Sequence, residues 1–224
     1  MKIGILGAME PEINLIVSHL EEPRELTLGK FRFITGFYKE KEVIVSECSI
    51  GKVNSAISTQ TMINNFNPNF IINTGIAGGL DSRLEVLSIV IGDSLTYHDF
   101  NHEIMKKYFP FRTHFEADKK AIKIAEEIAK NAGIHTLTGT IITGDLFVED
   151  SIKKAQLKSD YDALCVEMEG AAIANTAYTN DVPFIIIRAI SDMADDGGHM
   201  TYEEFKEKAS DESAKIVLGL VEKL

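Results

Sequence analysis

Apolar and polar positions along the chain fall into two alternating rhythms. Short apolar runs at 2–7 (KIGILG), 69–74 (NFIINT), 136–143 and 183–190 (PFIIIRAI) are too brief for helices and read as buried strands. Residues 31–38 and 42–49 are two more strand-like runs around the charged turn Lys39–Lys41, a hairpin signal. The segment 86–97 reads as a long or bent strand pair around Gly92, and 164–166 as a short apolar run. Between these runs the spacing turns helical. Ile13, Ile16, Val17 and Leu20 stripe 10–20, and 53–66 ends near Asn67-Pro68. Residues 118–132 put Ala121, Ile122, Ala125, Ile128 and Ala129 on one face, with Gly133 as the stop. An alanine-rich helix is expected over 168–180. A last one over 201–223 turns Tyr202, Phe205, Ala209, Ile216, Val217 and Leu220 inward. Strand and helix alternate throughout, which predicts an α/β fold on a parallel or mixed sheet. At 224 residues, one domain spanning 1–224 is expected.

In open α/β sheets ligands gather beyond the carboxyl ends of the strands, so the residues that follow each apolar run carry the argument. Run 2–7 leads into Ala8-Met9-Glu10-Pro11-Glu12, and 69–74 into the glycine-rich turn Gly75-Ile76-Ala77-Gly78-Gly79. Run 136–143 leads into Gly144-Asp145-Leu146-Phe147-Val148, 164–166 into Glu167-Met168-Glu169, and 183–190 into Ser191-Asp192. Several carboxylates are thus expected at one sheet edge. Paired carboxylates in an apolar pocket are the tools of glycoside cleavage, one protonating the leaving group and one activating water. Each acid alone has a plainer reading: Glu12 as a helix-start acid and Asp192 as an N-cap.

Composition narrows the partners. The formal net charge of −11 disfavours nucleic acid and anionic membrane surfaces and suits a small neutral or zwitterionic ligand. Cys48 and Cys165 lie far apart in apolar runs, so two buried free thiols in a reducing compartment are expected. No apolar run has the length of a membrane span, and the N-terminus reads as a strand instead of a signal peptide, which places the protein in the cytoplasm. The loop Gly75–Gly79 does not fit G-x-G-x-x-G, and Gly51-Lys52-Val53-Asn54-Ser55 lacks the upstream glycine of a P-loop. His98 and His102 are four apart without an H-E-x-x-H pattern, so no metal or other cofactor is expected.

Six segments together, IGILGAMEPE (3–12), SIGKVNSA (49–56), IINTGIAGGL (71–80), GDLFV (144–148), VEMEGAAIA (166–174) and RAISDMAD (188–195), resemble the 5′-methylthioadenosine/S-adenosylhomocysteine nucleosidases. These belong to the wider purine nucleoside phosphorylase-like family, and the resemblance extends over essentially the whole chain. It implies a three-layer α/β/α fold with a central mixed β-sheet, a homodimer, no cofactor, and a nucleoside substrate. It also implies roles. Glu12 would activate water. Asp192 would protonate purine N7, kept protonated by burial among other acids and oriented by Ser191. Glu169, with the backbone of Met168, would hold the ribose hydroxyls. Phe147 would stack on adenine and the Val148 backbone would bind its edge. Met9, Ile50 and Met168 would line the apolar ribose and 5′ region, Arg188 would help place the water, and Ile76, Ala77, Gly78 and Glu167 would complete the site.

Three segments depart from the family pattern: Ile76 stands where Ser is frequent, Tyr202 where Phe closes the 5′ pocket, and 100–115 does not follow the usual aromatic loop. The 5′ preference is therefore open, and a related 6-amino nucleoside such as aminodeoxyfutalosine remains an alternative. So do a phosphorylase of the same fold, which Glu12 disfavours by repelling phosphate, and a non-catalytic nucleoside-binding protein, which has no need of a matched acid and base.

Overall fold

The structure, a computed structural model, describes residues 1–193 and 198–224, with side chains in the second stretch described from Phe205 onward. Tyr202 therefore lies outside the described side chains. In chain order the elements are β1 (Lys2–Gly7), α1 (Glu10–Ser18), β2 (Glu21–Leu28), β3 (Phe31–Tyr38), β4 (Lys41–Glu47), α2 (Lys52–Phe66) and β5 (Phe70–Gly79). There follow β6 (Ile89–Tyr97), α3 (His102–Lys107), β7 (Phe115–Glu116), α4 (Lys119–Ala132), β8 (Thr136–Thr143), α5 (Ser151–Tyr161), β9 (Cys165–Glu167), α6 (Gly170–Thr179), β10 (Phe184–Asp192) and α7 (Gly198–Lys223).

Side chains on a strand alternate between its two faces, and here that alternation divides two apolar cores. Ile3 and Ile5 of β1, Val43 and Val45 of β4, Ile72 of β5, and Ile185 and Ile187 of β10 face one core. Helices α1, α4 and α7 cover it with Ile13, Ile16, Ala121, Ala125, Ile216 and Val217. Leu6, Ile44, Ile71, Ile186 and Ile190 face the other core, covered by Met62 of α2 and by Ala171, Ala174 and Ala177 of α6. The three-layer α/β/α arrangement follows. The alanine-rich face of α6 lets that helix lie close to the sheet.

The strands run in the order β10-β6-β8-β9-β5-β1-β4-β3-β2, with β7 joined to β6. Strand β5 also pairs with β10, so β5, β10, β6, β8 and β9 close into a ring. Strand β5 manages this by changing neighbours. Phe70–Asn73 lie beside β1 in parallel, while Gly78 and Gly79 meet Val166 and Cys165 of β9 in antiparallel. Among the described strands the mixed sheet is therefore open on the β1-β4-β3-β2 side.

Several expectations need correction. The segment after Thr74 is not a turn: β5 continues as strand through Gly75–Gly79. The 86–97 segment is one strand with a register shift between Gly92 and Ser94, not a pair. Strand β2 is absent from the sequence reading because it is an edge strand, EEPRELTL, with six exposed or charged positions in place of an apolar run. Helices α3 and α5 were also missed. Each is short and lysine-rich, with few buried positions. The Lys39-Glu40 turn does connect an antiparallel hairpin, both residues taking positive φ. Both cysteines are free and buried. Among the described residues no helix is long and apolar enough to cross a membrane.

Candidate active site

The carboxyl ends of β1, β5, β8, β9 and β10 meet at a cleft lined by apolar side chains with a few carboxylates among them, the make-up of a small-molecule site. It is lined by Glu12 and Met9 from the β1–α1 junction, Ile76, Ala77 and Gly78 from β5, and Phe147 and Val148 after β8. Glu167, Met168 and Glu169 contribute from the β9–α6 junction, Ser191 and Asp192 from β10, and Ile50 from the loop before α2. The sequence reading missed Ala8, Leu146 and Val166, which also line it.

Glu12 fits the plainer reading offered for it and also lines the cleft. Set in the first turn of α1, it reaches back so that Oε2 accepts from the backbone N–H groups of Ala8 (2.6 Å) and Met9 (3.0 Å), as a helix-start acid does. Its Oε1 accepts from Ile76 N at 3.0 Å, across the cleft floor. A side chain at position 75 has no room: a Cβ there would lie 2.7 Å from Glu12 Oε1. The glycine at 75 thus serves close approach, not a turn. Burial pushes the Glu12 carboxyl above its ordinary range, opposed by the charge of Arg188 and by those three N–H donors.

Asp192 is the last residue of β10, and α7 begins at Gly198, so the N-cap alternative fails. Its Oδ1 accepts from Ser191 Oγ at 2.9 Å. A Cβ on Gly78 would stand 3.3 Å from its Oδ2. The neighbourhood is not the wholly acidic one expected. Lys154 of α5, fully buried, donates from Nζ to Asp192 Oδ2 at 2.7 Å. Nothing in the sequence around Lys154 separates it from its exposed neighbour Lys153.

A second carboxylate group lies between these two ends. Glu167 takes Thr143 Oγ1 on Oε1, while its Oε2 accepts from Glu169 N (3.0 Å), Gly170 N (2.7 Å) and Arg188 Nη2 (2.5 Å). Glu167 thereby holds the start of α6, where the helix dipole favours an anion. Arg188, almost wholly buried, also binds Asn73 Oδ1 at 2.5 Å and does not itself line the cleft. It stands behind Glu12, and its Nε has no acceptor among the described residues. Glu169 accepts from Gly51 N at 2.8 Å, and Gly51 has φ +96°, a conformation that only glycine adopts without strain. Burial first, then Glu167, pushes the Glu169 carboxyl up to about 8, against the pull of Arg188. The P-loop-like run 51–55 therefore anchors Glu169. Asp99 pairs with Lys52 at 2.6 Å, and His102 donates to the Tyr97 carbonyl at 2.8 Å. Burial pushes both thiols up, so neither cysteine is poised as a nucleophile.

The chain matches the phosphorylase superfamily over residues 2–222. It is 41% identical to the 5′-methylthioadenosine/S-adenosylhomocysteine nucleosidase of Pseudoalteromonas translucida, covering 100% of this chain and 98% of that one. Its fold is similar to the crystal structure of the same-named nucleosidase from Neisseria meningitidis with methylthio-immucillin-A (TM-score 0.94, 34% identity, 100% and 99% covered). It is similar also to futalosine hydrolase of Helicobacter pylori (TM-score 0.93, 34% identity, 100% and 98% covered). Full-length similarity at this level, joined to a cleft built from the six segments noted in the sequence, shows that the chain belongs to the 5′-methylthioadenosine/S-adenosylhomocysteine nucleosidases of the phosphorylase superfamily.

Proposed function

We propose that this chain hydrolyses the N-glycosidic bond of 5′-methylthioadenosine and S-adenosylhomocysteine, with Glu12 as base and Asp192 as acid. The observation that carries the reading is the presence of two buried carboxylates in one cleft with opposite surroundings. Three N–H donors converge on Glu12, an arrangement suited to an ionised acceptor. Asp192 of β10, beside Gly78 and so three residues along β5 from the Gly75 that faces Glu12, is held by side chains.

Asp192 gives its proton to purine N7, and the C1′–N9 bond breaks with its electron pair passing to the purine. The ribose develops oxocarbenium character. Glu12 takes a proton from the water that attacks C1′. Arg188, which stands behind Glu12 and does not line the cleft, helps place that water through its charge on Glu12. Glu169 receives the ribose hydroxyls beside the Met168 backbone. Phe147 stacks on adenine and the Val148 backbone binds its edge. Met9, Ile50 and Met168 give the 5′ end an apolar surface that suits a thioether and leaves a phosphate unpaired. Ile76 supplies an N–H to Glu12 where a serine would add a hydroxyl.

The test is adenine release from 5′-methylthioadenosine, S-adenosylhomocysteine, adenosine and aminodeoxyfutalosine, with and without phosphate. Release without phosphate from the first two is the expected result. A strict phosphate requirement would make the chain a phosphorylase, and preference for the last would reassign the substrate.

The reading includes a homodimer in the cytoplasm. Exposed apolar side chains lie on α2 (Val53, Ile57), on 100–111 (Phe100, Ile104, Phe109, Phe111) and after β8 (Leu146, Ile152), the kind of surface a second copy would cover. The buried free thiols suit a reducing compartment. Sedimentation should give twice the 24.8 kDa chain mass; a monomer would remove the dimer from the reading.

A further inference from the structure

Helix α5 has a narrow inward stripe at 154, 157 and 161, and the rest of the helix is mostly exposed. Leu157 and Tyr161 fill two of those places with apolar bulk. The third place holds Lys154, whose side chain is 0% exposed. Lysine is almost never fully buried unless paired. Here the ammonium has two partners, Asp192 Oδ2 at 2.7 Å and the Met193 carbonyl at 2.8 Å. A purely packing role at this place is better served by an apolar side chain, because one that matches the volume avoids desolvating a charge. The cation lies directly behind the carboxylate that faces the cleft.

We infer that Lys154 is a positioning residue for the acid: its ammonium takes up the charge that Asp192 acquires when its proton passes to N7. This rests on Asp192 being the acid of the proposed reaction. In that step the Asp192 O–H bond breaks and N7–H forms, while the C1′–N9 electron pair goes to the purine and the water proton to Glu12. Lys154 keeps all its protons. What changes is Asp192, left as a carboxylate 2.7 Å from a buried ammonium. In a site closed to water such a fixed charge needs no reorganisation as the anion forms. Ser191 Oγ holds the other oxygen at 2.9 Å, so the carboxylate plane is fixed from two sides. Arg188, the other buried cation among the described residues, is engaged by Glu167 and Asn73.

Two ligands separate this role from a structural one. Methylthio-immucillin-A carries hydrogen on N7 and donates it to the acid as a carboxylate, so it reports the charged state. In 5′-methylthiotubercidin position 7 is carbon, which neither donates nor accepts strongly. In Lys154→Met, the Kd of the first should rise by about tenfold or more, and that of the second by less than about threefold. On 5′-methylthioadenosine kcat should fall by about tenfold or more with KM nearly unchanged, and Lys154→Arg should recover most of the loss. Lys154→Gln, which keeps a donor for the Met193 carbonyl without the charge, carries the same expectation and serves if the Met variant does not fold. In an Asp192→Asn background the Lys154 substitution should have no further effect on the immucillin. Parallel weakening of both ligands, or no change in either, would overturn the role of Lys154 even with Asp192→Asn inactive. Near-normal turnover by Asp192→Asn would instead overturn the acid assignment on which it rests.

Discussion

The two ends of the cleft are built differently. At the Glu12 end the carboxylate is fixed by backbone: N–H groups from the β1–α1 junction and one from β5. At the Asp192 end it is fixed by side chains, one from the adjoining residue and one from a helix 38 residues earlier in the chain. Backbone donors cannot be mutated away and carry no net charge; at Glu12 they add to the charge of Arg188 behind it in favouring the ionised base. A side-chain cage can supply a full charge, which suits a group whose own charge changes during the reaction. Two of the three donors at the base end come from local chain geometry, whereas the charged partner at the acid end is delivered by long-range packing.

The comparison predicts a ranking. Asp192→Asn removes the proton donor and should reduce kcat for adenine release by roughly 10²–10⁴-fold while ligand binding survives. Near-normal steady-state turnover would remove the acid role. Glu12→Gln should lose roughly 10²–10³-fold and differ in its pH profile. Burial sets the Glu12 carboxyl above the ordinary range, and a base works only when ionised. Wild-type kcat/KM should therefore fall as pH drops through a value above that range. A flat acid limb would place the base elsewhere.

Smaller effects come from the glycines. Gly75→Ala sets a Cβ 2.7 Å from Glu12 Oε1, too close for any real contact, so the Glu12 carboxylate must shift from its present place. About tenfold or more in kcat is expected, since misplacement by an ångström is costly in catalysis. Gly78→Ala meets Asp192 Oδ2 at 3.3 Å, a distance that a few tenths of an ångström of movement relieves. It should cost only a few-fold. Equal losses in the two variants, measured side by side, would show that the backbone-held end is no more rigid than the side-chain-held end.

Much of this was legible in the chain itself. The strands β1, β5 and β10 are legible because they are buried on both faces and show as continuous apolar runs. The carboxylates at the strand ends were found for the same reason: each directly follows such a run. The polar edge strand β2 and the lysine-rich α5 had no such signal, since few of their residues touch a core. The glycine segment 75–79 looked like a turn because composition cannot distinguish a glycine needed for φ from one needed for clearance.

The sequence by itself determined the α/β class, the two-faced strands and the identity of the acids that line the cleft, since periodicity and chain order report burial directly. Only the tertiary structure decided that β5 switches partners to close a ring, and that Gly51 anchors Glu169. It alone decided that one of two adjacent lysines, Lys154, turns inward to meet Asp192. These are relations between segments far apart in the chain. They depend on the register and packing of whole elements, which no local pattern of residues encodes.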